Sequence, residues 1–143
     1  MNSEINASEN KQNGLNENHI RAISITLSEL EKNIDEIEGF IKDVHRGRMY
    51  EVKNDLTDIQ GKNVLEQIQQ IREYIRKIAD EFGLDAESEC LSRLIRGTFS
   101  VEWVNICEME PKRLSGYGGV GKDIWDTLDN YIKKLEDLIN KIK

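Results

Sequence analysis

One proline, two cysteines and two histidines are all that this 143-residue chain holds of those types, and each shortage closes off a class of protein. Two cysteines cannot build the disulfide framework of a small secreted domain. His19 and His45 do not supply the Glu-x-x-His pairs from which helical bundles assemble di-iron centres. Pro111 is the single hard stop to a helix. No run of about 18 apolar residues occurs, which excludes a membrane-spanning helix. The opening MNSEINASEN has neither a basic start nor an apolar core, so it is no secretory signal. An excess of positive charge is missing too: 20 Lys and Arg face 27 Asp and Glu, a net of −7. Nucleic acid, which demands a basic footprint, is therefore not an expected partner. What remains is a charged, soluble, cytoplasmic protein of a length that fits one domain.

Residues 1–18 contain six Asn and few apolar side chains. Such a segment buries too little to offset its ordering entropy, and it reads as a disordered tail. From residue 19 to 143 the pattern becomes helical, in four segments. Ile20, Ile23, Leu27, Leu30, Ile34, Ile37, Ile41 and Val44 recur at spacings of three and four, which predicts a helix from about Asn18 to Gly47. The second stripe is Val64, Ile68, Ile71, Ile75, Ile78 and Phe82, opened by a Thr57/Gln60 capping box and closed by Gly83. Asp85 then caps a third helix that runs to about Glu110, before Pro111. The fourth begins near Asp123 or the preceding glycines, with Ile124, Leu128, Tyr131, Leu135, Leu138 and Ile142 as its stripe and Ile132 and Ile139 in support. Four such helices with short connections predict an all-α fold, an antiparallel up-and-down four-helix bundle. The heptad-like spacing also suits a coiled coil, so self-association is a further reading.

In that topology two irregular connections share one end of the bundle. Residues 46–54 carry Arg46, Arg48 and Lys53 against Glu51, and residues 111–122 carry Lys112, Arg113 and Lys122 with no acid. They hold +2 and +3, leaving −12 on the rest of the chain. With Tyr50, Asn54, Tyr117 and the glycine amides, these side chains form a candidate site for a phosphate-containing ligand. The competing explanation is helix chemistry, since cations that follow helix C-termini offset the dipole without any ligand. Lys122 does not fit it, because it stands where a helix begins.

The segment from Gly116 to Asp123, GYGGVGKD, resembles the phosphate-binding loop GxxxxGK[ST] of P-loop nucleotide hydrolases through Gly116, Gly121 and Lys122. That resemblance implies a strand delivering the loop and a hydroxyl for magnesium. The sequence puts MEPKRLS before the loop and Asp123 where Ser or Thr belongs. In size and helix count the chain also resembles the helical RNases of the HEPN class. Their Arg, four residues, His motif has no counterpart around His19 or His45.

On the third helix, Leu91, Ile95, Thr98, Ile106 and Met109 share a face with Glu102 near its centre. Glu102 lies about 12 Å along the helix from Glu110, a depth at which an antiparallel fourth helix places Tyr131. A buried Glu102–Tyr131 hydrogen bond is therefore expected. Cys90 and Cys107, on one predicted helix and about 25 Å apart, read as unpaired thiols. No set of residues completes a nucleophile, a metal centre or a cofactor site, so catalytic residues, metal and cofactors are all expected to be none. Acidic side chains crowd the outer faces: Glu29, Glu31, Asp35, Glu36 and Glu38 on the first helix, and Asp126, Asp129, Glu136 and Asp137 on the fourth. The function expected by elimination is binding to another protein, as an adaptor, an immunity-like inhibitor or a small subunit. The alternative is an anion- or nucleotide-binding helical domain using the basic connections.

Overall fold

The computed structural model describes residues 14–43 and 45–143. It is all-helical: α1 (Glu17–Lys42), α2 (Asp58–Phe82), α3 (Leu91–Cys107), a short α4 (Pro111–Leu114), a 3-10 turn (Ser115–Tyr117) and α5 (Lys122–Ile142). Among the described residues the extended backbone pairs only in an isolated antiparallel bridge between Arg46 and Glu51. The chain divides into two compact units, Met1–Glu87 and Ser88–Lys143. The tail expected over residues 1–18 lies outside the described residues as far as 13. From there the expectation needs correcting, because α1 already begins at Glu17. The Asn16 side chain accepts from the His19 amide at 2.9 Å, and the His19 ring accepts from the Asn16 amide at 3.2 Å. This reciprocal cap satisfies two of the amides that a helix start leaves without partners.

The first unit is an antiparallel hairpin of α1 and α2. The predicted Thr57/Gln60 box is present, with both hydrogen bonds formed. α2 ends at Gly83 in the left-handed conformation, φ +62°. α1 stops five residues before the predicted Gly47, because Asp43 turns extended; Val44 lies outside the described residues. Beyond it the Gly47 amide donates to the Tyr50 carbonyl and the Val52 amide to the His45 carbonyl, closing a tight turn where a last helical turn was expected. Ile34, Ile68 and Ile75 form the buried core, with Leu27, Leu30, Val64 and Ile71 packed around them. Each fully buried isoleucine stabilises the pair by about 1.5–3 kcal/mol. At the edge of that core, Arg72 donates to Glu38 and to Asp35, both at 2.7 Å, and Gln69 donates to Glu38 at 3.2 Å. One guanidinium thus holds two carboxylates a helical turn apart and fixes the register of α2 against α1.

The second unit pairs α3 with α5, also antiparallel. α3 starts at Leu91, six residues after the expected cap at Asp85. Leu84, Asp85 and Ala86 instead continue along the first hairpin, lining a groove with Leu27, Ile75 and Ala79. Cys90 occupies the cap position of α3 without a side-chain hydrogen bond. At its far end α3 stops at Cys107, and Pro111 opens α4, where its missing N–H costs nothing. Pro111 and Ile132 are the most completely buried side chains of the unit. No helix among the described residues is long and apolar enough to cross a membrane.

The Arg72 clasp makes a pH prediction. Its hydrogen bond to Glu38 holds that carboxyl below the ordinary carboxylate value. A depressed acid contributes stability above its unfolded pKa and loses it as pH falls through its folded one. The wild type should therefore lose more resistance to urea than Glu38→Gln between about pH 5 and pH 3, as read by circular dichroism. Parallel curves would show that the clasp adds nothing.

Candidate functional site

α5 carries two apolar faces, one residue out of step and so about 100° apart around the helix. Trp125, Leu128, Ile132, Glu136 and Ile139 face inward, with Ile132 2% exposed. Of the stripe expected to form the core, Leu128 turns inward together with the supporting Ile132 and Ile139, whereas Ile124, Tyr131, Leu135, Leu138 and Ile142 stay exposed, and Tyr131 reaches 69%. α3 behaves in the same way. Ile95, Phe99, Trp103 and Ile106 are partly buried while Leu91, Leu94, Val101 and Val104 remain at the surface. The bulky rings of Phe99 and Trp103 pull the interface around α3, and Glu102, one position away, is turned out to solvent. The first hairpin also carries an apolar groove of about 290 Å³, lined by Leu27, Leu30, Ile71, Tyr74 and Ile78 among others. Large apolar side chains are thus exposed on each of the four long helices, α1, α2, α3 and α5.

The expected Glu102–Tyr131 pair is thus corrected, since both residues are exposed. The register explains the miss. The Lys143 ammonium lies 4.7 Å from the centre of the Trp103 ring, and Cys107 is level with Glu136. Glu102 therefore sits beside the end of α5, about a dozen residues from Tyr131. α4 prolongs the α3 side of the hairpin and packs on α5, a segment that the sequence presents as a loop.

The residues of the candidate anion site all lie at the surface: Arg46, Arg48, Tyr50, Lys53 and Asn54 in the first unit, Lys112, Arg113, Tyr117 and Lys122 in the second. Several have local duties. Lys53 pairs with Glu51 at 3.7 Å, and the Asn54 side chain accepts from the Leu56 amide at 3.1 Å. The Tyr50 ring lies 5.7 Å from that of His45, which meets Phe40 at 6.2 Å. The glycine loop follows α4 and the 3-10 turn, so no strand delivers it as the phosphate-binding loop requires. Gly118, at φ +144°, marks where that loop needs a residue without a side chain. The acidic faces are partly consumed as well. Asp35 and Glu38 serve the clasp, Glu29 pairs with Lys32, Asp129 with Lys133 and Asp137 with Lys141.

One cluster escaped the sequence reading. Cys107 in the last turn of α3, Glu110 just before α4, and Glu136 on α5 bring one sulfur and two carboxylate oxygens within 4.8 Å of one another. Glu136 Oε1 is shielded from solvent and has no hydrogen-bond partner. Burial, with Glu110 alongside, raises the Glu136 carboxyl, and burial followed by Glu136 raises the Cys107 thiol. The signal was present: Cys107-x-x-Glu110 spans one helical turn, and Glu136 interrupts the row Ile132, Ile139.

The two faces of α5 predict opposite mutational behaviour. Ile132→Ala should cost about 2–4 kcal/mol in chemical denaturation. Tyr131→Ala should stay within about 0.5 kcal/mol; equal costs would mean that the core face is misassigned. No protein-family model matches the chain, no curated protein matches it in sequence, and no solved structure matches its fold.

Proposed function

We propose that this chain is a non-enzymatic helical protein that works by binding another protein, as an adaptor, an inhibitor or a small subunit of a complex. The observation that carries this reading is the outward stripe of α5. It spans five turns at heptad spacing and is left exposed among the described residues. Its natural occupant is an amphipathic helical partner that buries its own stripe there. Lys134, on the flank of the stripe and in no ion pair among the described residues, favours an acidic margin on that partner. The four-helix bundle belongs to the same reading: two helices with uncovered stripes become a bundle when two more close over them.

Native mass spectrometry of the protein purified gently from its own source should show a second polypeptide at fixed stoichiometry. Leu135→Asp with Leu138→Asp should abolish that complex while leaving the helical circular dichroism unchanged. A complex that survives both substitutions, or a chain that is monomeric and alone, overturns the proposal. A dimer of the chain itself replaces the foreign partner with a second copy.

A second reading rests on a different observation. Lys122 is the first residue of α5, where a cation opposes the helix dipole, and it makes no ion pair among the described residues. Lys112 and Arg113, in the same unit, are likewise without acidic partners among the described residues. An anion site in this unit would account for all three, while Arg46 and Arg48 offer positive charge separately in the first unit. Calorimetric titration with inorganic phosphate or ATP should then give heat that Arg113→Ala and Lys122→Ala remove; no heat with wild type dismisses the site.

A further inference from the structure

We propose that Cys107, Glu110 and Glu136 form a binding site for one zinc(II) ion, with water as the fourth ligand. The donors come from three places: the end of α3, the turn after it, and α5. The group is therefore not a row of acids along one helix face. Its sulfur selects against magnesium and calcium, which take oxygen alone, and a single thiolate with two carboxylates suits zinc better than copper(I). The donor atoms lie within 4.8 Å of one another. In a tetrahedral zinc site neighbouring donors stand roughly 3.4–3.7 Å apart, so closure needs a contraction of about 1 Å.

Independent support comes from Glu136 Oε1, which is shielded from solvent and has no hydrogen-bond partner at bonding distance, with the Cys107 thiol and the Glu110 carboxyl its nearest titratable neighbours. An enclosed oxygen without a partner carries the full cost of lost hydration. A cation at the site removes that cost. The surroundings are compatible. Lys133, the nearby cation, is tied to Asp129 at 3.0 Å, and Glu108 adds a negative charge near Cys107. Binding forms one Zn–S and two Zn–O bonds. It releases the thiol proton to solvent, together with the carboxyl proton wherever Glu136 holds one. Cys90, exposed at the start of α3, takes no part.

The test uses the full chain, reduced and freed of metal, titrated with cadmium(II) as a spectroscopic stand-in and then with zinc(II). A thiolate-to-cadmium ultraviolet band should saturate at one equivalent and be displaced by zinc. Cys90→Ser should keep the band and Cys107→Ser should lose it. Glu110→Gln and Glu136→Gln, nearly isosteric and checked for folding by circular dichroism, should each weaken zinc binding at least tenfold. A missing band, a band retained in Cys107→Ser, or unchanged affinity in both glutamine variants overturns the site.

Discussion

Two antiparallel helices can cover only one stripe on each other, and every long helix of this chain has more apolar surface than one stripe. On α5 the two faces are one residue out of step, so a rotation of about 100° decides which becomes the core. The decision went to the face holding Trp125, Ile132 and Ile139, and consequences follow from it. Glu136, fourth in line on that face, is carried inward and meets Cys107 and Glu110. Tyr131, on the other face, is carried outward with the leucines around it. Both the exposed stripe and the inward turn of Glu136, with its shielded Oε1, are products of one rotational choice.

Much of the helix plan was readable from residue types alone. Thr57 with Gln60 and Gly83 mark the ends of α2 because their chemistry is local, completed within three or four residues. The capping role of His19 is equally local, yet an imidazole is a rare acceptor in that position, and the pattern of Asn residues around it read as tail. What could not be read was rotation and register. The leucines and isoleucines of α5 fan over about 120° of its circumference, wide enough to hold two adjacent faces, and periodicity alone does not choose between them. The register of α3 against α5 turns on α4, four residues whose polar composition resembles any loop.

Charge has a smaller part in the architecture than composition suggests. With 27 acids in 143 residues, the outer faces invite an electrostatic account, but most of the pairs lie along a single helix and at the surface. Such pairs contribute about 0.3–0.5 kcal/mol each. Arg72 differs because it joins two helices and is only 29% exposed. It is a contact that distinguishes one hairpin alignment from its neighbours.

That distinction matters because the isoleucine rows of α1 and α2 are nearly self-similar. Slide one helix past the other by seven residues, and aliphatic side chains again meet aliphatic side chains. Greasiness alone cannot tell these alignments apart. The guanidinium between Glu38 and Asp35 works as a key cut for a single notch. A chain stripped of that key would keep its helices and its hydrophobicity while losing its singularity, becoming a mixture of staggered hairpins rather than an unfolded polymer.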